Sequence, residues 1–420
     1  MGAIFDRKTL KLYVYTPGTT EVWARWPAPM AWRKSDQDAG WRHVRPMLSL
    51  PKRPVAGEIA RCHAREQKFP YKPYPSREEE KAAIRRGARL ARLEWAANIP
   101  DPVRRAIAPI RVRQWHLLAM AARCGEGALD LIRSNPALAF MLASNWVFHK
   151  PAVQQPLRSV RALLKPGRSQ VEMLAWLGFP PRPAVRRILA RIPPESIDVP
   201  RLLYLRDACH DPEALKRMFH LPRLNAGCLR IVTDATLAAR ITPPLMTEVA
   251  NDGREDAPRF RIARLIVDTL RARAEIGAAV NGVLPARTIE ELEECHDEAV
   301  GRLNRLNEVA GCADAPVFPP PPLPGDNDIL PITSARELRA EGREMQHCVR
   351  IHESDIAVIK NYYVYRIDAP ERATLAIRRT HRGWAIAELS GRHNSAVSSE
   401  TRSRVMSWFE SCADWRSRWG

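Results

Sequence analysis

Two patterns of apolar residues divide the chain, and the first of them lies near the N-terminus. Apolar and polar residues alternate from Leu10 to Val14, and a second short apolar run follows the turn residues Pro17 and Gly18. Alternation with a period of two on both sides of such a turn predicts a β-hairpin. The sequence stays rich in Trp, Pro and basic residues up to about residue 75. We therefore predict a basic, β-containing segment over 1–75.

The second pattern begins at Ser76, where apolar residues recur at the three- and four-residue spacings of helices with one buried face. Ser76 and Glu79 have the spacing of a capping box, which predicts a helix start. Further apolar segments follow, separated by Pro, Gly and Asn, and no repeat period is strict enough to define a solenoid. We predict an irregular multi-helix array over 76–312.

A proline-rich stretch from Phe318 to Asp326 interrupts the helical pattern. Consecutive prolines lack amide donors and favour the extended polyproline conformation. The stretch therefore predicts a semi-rigid linker over 313–330 and a domain boundary. A ligand for a proline-binding module is the alternative interpretation.

Beyond this stretch the pattern predicts an α+β domain over 331–420. Ser334 and Glu337 form a second capping box, so a helix begins here, and a last helix is predicted from Ser399 to Cys412. Strand-like alternation between them covers 362–367, 373–378 and 384–389. The domain is predicted as helix, three-stranded antiparallel meander, helix. The whole chain is thus predicted to be mostly α-helical, with a small N-terminal β-containing segment and a C-terminal α+β domain.

The charge of the chain is strongly positive. It is +19, from 66 Lys and Arg against 47 Asp and Glu. Such an excess favours polyanionic partners, above all nucleic acid, because contacts to phosphates release condensed counterions. A coding bias towards Arg is the alternative source of the arginines.

The candidate nucleic-acid-binding residues are arginines in the helix after Ser76 and in the C-terminal domain. They are Arg85, Arg86, Arg89, Arg92, Arg378, Arg379, Arg382 and Arg392. Aromatic side chains interleaved with basic residues near the N-terminus are candidates for stacking on exposed bases, with simple packing as the alternative. These are Trp23, Trp26, Trp32, Trp41, Tyr71 and Tyr74.

Cysteine usage and hydropathy point to a reducing compartment. The eight cysteines are scattered without a C-x-x-C pair, which is unlike a disulfide framework or a zinc ribbon. No signal-peptide pattern and no apolar run long enough to span a bilayer are present. We expect a cytoplasmic protein that does not act at a membrane. No cofactor and no metal are predicted, and the chain lacks a P-loop motif.

Reactive groups are densest in the run from Glu341 to Val349 and in the corner from Gly391 to Asn394. A catalytic interpretation uses Cys348 as nucleophile or His347 as general base, in a hydrolytic or group-transfer reaction. Glu341 or Glu388 would orient these groups, and Asn394 would polarise the substrate. Adjacent residues of a regular helix point about 100° apart. His347 and Cys348 therefore share a pocket only if the helix ends or unwinds at Gln346 or His347.

Three other interpretations of this cluster stay open. In a purely structural one, Cys348 is a small buried residue, His347 compensates a helix dipole and Asn394 caps the last helix. In a second, Cys348 and His352 bind zinc together with another histidine, although their spacing matches no standard finger. In a third, the cluster is a non-catalytic pocket for a phosphate or a peptide, assisted by nearby arginines including Arg350.

The motif also resembles a known family. Residues 338–349, the strand at Tyr363–Tyr365, Ala373–Leu375 and Gly391-x-x-Asn394 look like the PcfJ-like proteins of conjugative plasmids, phages and bacterial chromosomes. The resemblance covers about residues 331–410. It implies an association with mobile genetic elements and conjugation, and it supplies no reaction.

Taken together, these observations predict a basic, nucleic-acid-associated protein of a mobile genetic element. It would act in plasmid or phage DNA processing or maintenance, with the C-terminal domain as a recognition or scaffold module. Its expected partners are DNA or RNA and proteins of a plasmid or phage system. The alternative is a hydrolase or group-transfer enzyme with its site at Glu341, His347, Cys348, Glu388 and Asn394.

Overall fold

The protein is mostly α-helical, with two small antiparallel sheets. The computed structural model describes residues 2–67, 76–144, 147, 157–165, 168–256, 261–278, 282–309, 317–380 and 383–419. The chain divides into two compact units. The N-terminal unit comprises 1–238 and 246–260, and the C-terminal unit comprises 239–245 and 261–420.

The N-terminal unit begins with a five-stranded meander. Its strands are β1 (Gly2–Asp6), β2 (Lys11–Thr16), β3 (Thr19–Trp23), β4 (Ala31–Ser35) and β5 (Arg42–Val44), in that order and all antiparallel. The predicted hairpin is β2–β3, with Thr16 opposite Thr19. Gly18 adopts a φ of 73°, a conformation that glycine tolerates without a steric penalty.

Helices predominate in the described remainder of this unit. They are α1 (Val55–Gln67), α2 (Arg77–Ala96), α3 (Asp101–Ile107), α4 (Gln114–Cys124), α5 (Glu126–Ser134), α6 (Pro136–Ala143), α7 (Leu157–Leu163), α8 (Gln170–Trp176), α9 (Pro183–Ala190), α10 (Val199–Ala208), α11 (Pro212–Phe219), α12 (Ala226–Val232) and α13 (Ala235–Ala238). α14 (Pro243–Asn251) follows in the chain. The predicted capping box at the start of α2 is confirmed, with Ser76 and Glu79 bonded reciprocally.

Three tryptophans join the N-terminal sheet to the helices. Trp95 and Trp115 stack with ring centroids 5.9 Å apart, and Trp23 meets both rings edge-on at 5.5 Å. Burial of such large rings supplies much of the apolar contact in a core. Trp23 is only 4% exposed, which favours packing over base stacking for this residue.

The C-terminal unit combines two long helices with a sheet. Its elements are α15 (Arg261–Glu275), α16 (Ile289–Val309), β6 (Ile329–Pro331), α17 (Ala335–Met345), α18 (Glu353–Ala357), β7 (Tyr362–Ile367), β8 (Ala373–Thr380), β9 (Gly383–Ser390) and α19 (Ser399–Trp419). Short 3-10 helices cover Val349–His352 and Arg392–Asn394. The sheet order is β6-β7-β8-β9. The three predicted strands are present, and β6 adds a fourth that the pattern did not predict.

The proline-rich stretch packs onto this sheet, so the described part, 317–330, differs from the expected spacer. Phe318 and Leu323 are buried in the core of the unit. The Tyr365 hydroxyl donates to the Leu323 carbonyl at 2.9 Å and accepts from its amide at 3.1 Å, and the Trp408 indole donates to Pro324 O. The physical reason is that polyproline carbonyls, which have no partners of their own, bind the phenol and indole donors of the domain.

The unit boundary also differs from the expected one at residue 330. Ala272 of α15 and Val300 and Leu303 of α16 form a buried cluster with Ile351. Because these helices share a core with the segment after α17, they belong to the C-terminal unit rather than to a separate array.

Candidate functional site

The site begins where α17 ends. The chain leaves the helix through Gln346, whose φ of 52° and ψ of 50° are left-handed. The amides of Gln346 and His347 both donate to the Gly342 carbonyl, the second at 3.2 Å. A Cβ on Gly342 would lie 3.2 Å from His347 O, so the returning backbone explains the glycine. The helix thus ends before His347, which meets the condition for His347 and Cys348 to share a pocket.

His347 is held by a hydrogen-bonded chain through Thr374. His347 is 4% exposed, and its Nε2 lies 2.8 Å from the Thr374 hydroxyl. That hydroxyl donates its one hydrogen to the Glu341 carboxylate. It must therefore accept from Nε2–H, which assigns the tautomer and leaves Nδ1 unprotonated. Within the part of the chain that the structure describes, buried Nδ1 has no hydrogen-bond partner.

Burial controls the protonation of His347. Because the charged imidazolium is poorly solvated in this position, the pKa of His347 falls to about 4. The backbone of His347 itself raises this pKa in part, and the positive charge of Arg372 lowers it. His347 is therefore neutral at physiological pH, and its Nδ1 lone pair can accept a proton.

Glu341 lies at the far end of this series of hydrogen bonds and fixes the Thr374 hydroxyl. It is 3% exposed and binds the Arg372 guanidinium with both carboxylate oxygens. Arg372 also donates to Glu344 at 2.7 Å. A buried carboxylate that is paired in this way is fixed in place. Glu341 therefore contacts Thr374 and not the pocket in which His347 and Cys348 lie.

The pocket is small, with a volume of about 20 Å³, enough for about one water molecule. Four of the five candidate catalytic residues line it, namely His347, Cys348, Glu388 and Asn394. The other lining residues are Val349, His352, Tyr362, Thr374, Ala376 and Ser390. In the β8–β9 register Thr374 pairs with Ser390 and Ala376 with Glu388. Alternate strand positions share a face, so these two pairs form the floor of the pocket.

Cys348 lies in surroundings that favour the neutral thiol. It is half-buried, and burial raises its thiol pKa well above the ordinary value. The carboxylates of Asp268 and Glu388 raise the pKa further. Since the thiolate is the nucleophilic form, this electrostatic setting disfavours Cys348 as a nucleophile.

A second histidine forms one wall of the pocket. The His352 ring stacks on Tyr362 with centroids 4.1 Å apart, and its Nδ1 lies 2.9 Å from Asp355. Asp355 also accepts from Arg271 of α15 at 3.1 Å. These contacts link the pocket wall to the helix α15.

The corner after β9 brings Asn394 to the pocket. The Gly391 amide donates to Ser395 O at 2.9 Å, and a Cβ on Gly391 would lie 2.6 Å from Ser395 Oγ. His393 and Asn394 are both left-handed, with φ of 54° and 55°. Asn394 does not cap the last helix, because the Ser398 hydroxyl accepts from the Thr401 amide there. The predicted capping role of Asn394 is therefore wrong.

Sequence reasoning missed several residues of this site. The alternation of the strands predicts that Thr374 and Ser390 are buried, but it does not predict that their hydroxyls reach the pocket. Tyr362 was not singled out, and its contact with His352, which the sequence offered only as a zinc ligand, forms through a turn that no local pattern specifies. Asp268 gives one signal, a lone carboxylate beside the buried Ile266 and Thr269 on α15. That signal does not identify its partners, which lie far along the chain.

The candidate nucleic-acid-binding arginines lie in both units. On α2, Arg85 and Arg89 are exposed, with Arg89 paired to Glu58 at 2.8 Å, whereas Arg86 and Arg92 are half-buried. In the C-terminal unit Arg378, Arg379 and Arg392 are exposed. Arg382 lies outside the described residues, as do the proposed stacking residues Tyr71 and Tyr74.

The described residues contain neither a metal-binding cluster nor a membrane-spanning helix. No group of three or more His, Cys, Asp or Glu side chains there is arranged to hold a metal ion. Within the same ranges, no helix combines the length and the apolar character needed to cross a membrane. Comparisons of the chain with protein-family models, with curated proteins and with solved structures give no match.

Proposed function

We propose that the C-terminal unit is a hydrolase or a group-transfer enzyme in which His347 is the general base. One observation carries the proposal. A neutral, 4% exposed imidazole lines a small pocket, with Nε2 bonded to Thr374 and Nδ1 without a partner among the described residues. A positioned histidine with a free lone pair is the commonest device for taking a proton from a reacting group.

In the proposed reaction, a water molecule in the pocket donates a hydrogen bond to His347 Nδ1. Its oxygen forms a bond to the electrophilic centre of the substrate while the proton passes to Nδ1. The bond to the leaving group then breaks, and the leaving group takes the proton from His347. In group transfer, the hydroxyl of an acceptor replaces the water.

The other polar residues have supporting roles in this mechanism. The Asn394 amide donates to the oxygen that gains negative charge, as an oxyanion-hole donor does. The Glu388 carboxylate accepts the second hydrogen of the water. The hydrogen bonds from His347 to Thr374 and from Thr374 to Glu341 hold the imidazole ring and its tautomer in place. Cys348 lines the pocket as a neutral thiol.

The test uses His347→Gln and Cys348→Ala in the full chain, with chromogenic nitrophenyl carboxylate, phosphomonoester and phosphodiester substrates. We expect His347→Gln to lower kcat/KM by roughly 10²- to 10⁴-fold, the usual contribution of a general base. Cys348→Ala should lose less than about tenfold, since the thiol is not the nucleophile. His210→Gln, at an exposed histidine of the N-terminal unit, is the control. Full activity of His347→Gln would contradict the proposal, and loss only in Cys348→Ala would assign the reaction to the thiol.

A second function, nucleic-acid association, is favoured by a separate observation. The chain has a charge of +19, and α2 exposes Arg85 and Arg89. Together with the resemblance of residues 331–410 to PcfJ-like proteins, this supports a role in plasmid or phage DNA processing or maintenance. Binding of labelled single- and double-stranded DNA and RNA by the full chain tests it. An absence of binding at low salt would contradict it.

A further inference from the structure

The five-stranded sheet of the N-terminal unit has one buried face and one open face. Leu12 and Trp23 lie opposite each other on the buried face. Successive residues of a strand point to opposite faces, so Tyr13 and Tyr15 of β2 lie on the other one. Tyr15 is 41% exposed and Tyr13 is half-buried. The side chains that share a face with these two tyrosines form the open face of the sheet.

A row of apolar and ring-bearing side chains crosses the open face from β1 to β5. In the antiparallel register each member of the row lies directly opposite the next. The members are Ile4, Tyr13, Val22, Trp32 and His43. Ile4 is 60% exposed, His43 is exposed and Trp32 is half-buried. Four strand spacings of about 4.8 Å make the row roughly 19 Å long.

Positive charge lies on both sides of this row. Lys11 is exposed on one side, opposite Asp6 of β1. The Asp6 carboxylate accepts hydrogen bonds from the Lys8 amide at 2.9 Å and the Thr9 hydroxyl at 2.6 Å. Lys34 is exposed on the other side, in the row that also contains Tyr15. The aromatic side chains of the open face are therefore flanked by ammonium groups.

The helix α2 adds positive charge at the Tyr15 side of the open face. Gly2 lies directly opposite Tyr15, and a Cβ on Gly2 would lie 3.9 Å from Ile84 Cγ2. Arg85 follows Ile84 in α2 and is exposed. This part of the helix thus brings an arginine to the same side of the sheet as Lys34.

We propose that the open face binds single-stranded nucleic acid, with bases stacked on Tyr13, Tyr15 and Trp32. This inference rests on the second proposed function, nucleic-acid association, and names its surface and the form of its partner. The bases of a duplex stack on one another, whereas those of a single strand can be splayed out and stack on aromatic rings. Lys11 and Lys34 then contact the phosphates that run beside the bases.

Charge decides between a nucleic acid and a second copy of the chain as the occupant of this face. A second copy seated on the open face would bring two sets of lysines together, and like charges across an interface are unfavourable. A nucleic acid strand supplies the opposite charge beside the aromatic side chains. Among the aromatic residues that the sequence offered for stacking, Trp32 lies on the open face and Trp23 on the buried one.

The test measures binding of fluorescently labelled oligonucleotides by the full chain, using fluorescence anisotropy over a salt series. One mixed sequence is used as single-stranded DNA, as single-stranded RNA and as duplex DNA. The variants are Tyr13→Ala, Tyr15→Ala, Tyr15→Phe and Lys34→Gln. Tyr204→Ala is the matched control, because Tyr204 is an exposed tyrosine of α10 in the same unit. Size-exclusion chromatography reports the oligomeric state of each variant.

We expect Tyr13→Ala and Tyr15→Ala each to bind both single strands roughly 5- to 100-fold more weakly than wild type, the usual effect of losing one stacked base. Their duplex binding should be unchanged. Tyr15→Phe keeps the ring and, like Tyr204→Ala, should bind as wild type. Lys34→Gln should make the salt slope for single strands shallower by about 0.7, whereas Tyr15→Ala should leave this slope unchanged.

Two results would overturn the inference alone. The first is unchanged single-strand binding by the folded variants Tyr13→Ala and Tyr15→Ala, which would place any nucleic-acid contact on another surface. The second is an altered oligomeric state of Tyr15→Ala with unchanged affinity, which would assign the open face to a second copy of the chain. If the wild-type chain bound no nucleic acid at low salt, the second proposed function would be contradicted together with the inference.

Discussion

At the scale of single residues, His347 and Asp268 show opposite consequences of burial. Burial lowers the pKa of His347 from 6.5 to about 4 and raises that of Asp268 from 3.8 to about 6. The unfolded chain binds a proton at His347 that the folded chain does not, so stability falls as pH falls from 6.5 towards 4. For Asp268 the folded chain holds the extra proton, so stability rises as pH falls from 6 towards 4. The two effects oppose each other in the overlapping range.

His347→Gln should reveal this opposition. The variant lacks the imidazole, so of these two effects only that of Asp268 remains. The difference in free energy of unfolding, variant minus wild type, should therefore increase as pH falls from 6.5 to 4. The expected relative gain is on the order of 3 kcal/mol, from about 1.4 kcal/mol for each unit of pKa shift. Urea denaturation across this range measures it, with His210→Gln as the control. Parallel stability curves for His347→Gln and wild type would show that His347 titrates normally in the folded protein.

At the scale of elements, the end of α17 forms the site, and Gly342 is the residue that permits it. A Cβ there would lie 3.2 Å from His347 O, whereas nothing lies within 4 Å of a Cβ at Gly87 in α2. Alanine is better than glycine inside a helix by about 1 kcal/mol. Gly87→Ala should therefore raise the free energy of unfolding by up to that amount.

Gly342→Ala should behave differently from Gly87→Ala. The contact with His347 O must relax by displacing the turn, so we expect no stabilisation and a loss of activity of roughly tenfold or more as His347 moves. Thermal unfolding and kcat/KM are measured for both variants. Equal stabilisation of the two, with activity retained in Gly342→Ala, would show that the turn does not depend on glycine.

The strand β8 contributes to the site through Thr374. Thr374→Val keeps the shape of the side chain but removes the hydroxyl between His347 and Glu341, so the tautomer of His347 is no longer fixed. We expect kcat to fall by roughly 10- to 100-fold and stability by about 1–3 kcal/mol, because buried polar groups lose their partner. Thr374→Ser, which keeps the hydroxyl, should retain most of the activity. If Thr374→Ser were as impaired as Thr374→Val, the methyl group rather than the hydroxyl would be responsible.

Local sequence signals predicted the elements that local interactions determine. The capping box at Ser76, the N-cap at Ser334 and the alternation of β7, β8 and β9 are of this kind. At Ser334 the box is incomplete, because the Glu337 carboxylate accepts from the Thr333 amide. β6 was missed because three residues beside prolines give no measurable alternation. His347, Cys348 and Asn394 were found because they lie in two short motifs. Thr374 and Asp268 were not, since the contacts that give them a role join distant segments.

At the scale of the whole molecule, the charge of +19 is the property with the widest consequence. Each contact between a basic side chain and a DNA phosphate releases counterions. The logarithm of the binding constant therefore decreases with the logarithm of the salt concentration, and each contact with a duplex makes that slope more negative by about 0.9. Arg85→Gln should weaken binding of labelled duplex DNA and make this slope shallower by roughly one unit. Fluorescence anisotropy over a salt series measures both quantities. Arg123→Gln, at an exposed arginine of α4, should behave as wild type. Equal losses in the two variants would indicate a diffuse charge effect instead of a binding surface on α2.

The division into two units assigns more of the chain to the site than the sequence motif does. α15 and α16 lie before the proline-rich stretch, yet they share a buried cluster with Ile351, and α15 carries Arg264 and Asp268. The functional unit of the proposed enzyme therefore begins near Arg261, and a fragment starting at residue 331 would lack α15, whose Arg264 and Arg271 contact β9 and Asp355.

The state of the His347 imidazole tests the central claim most directly, and it requires no substrate. Nitrogen–proton correlation spectra of the full chain with ¹⁵N-labelled histidine, assigned by comparison with His347→Gln, report which ring nitrogen carries the proton. We predict a neutral ring protonated at Nε2, with Nδ1 free, that remains neutral on acidification until the pH approaches about 4. A ring that gains its second proton near the ordinary value of 6.5 would contradict the burial of His347 in a poorly solvated position. A ring protonated at Nδ1 would contradict the role of His347 as the general base, because that nitrogen would have no lone pair with which to accept a proton.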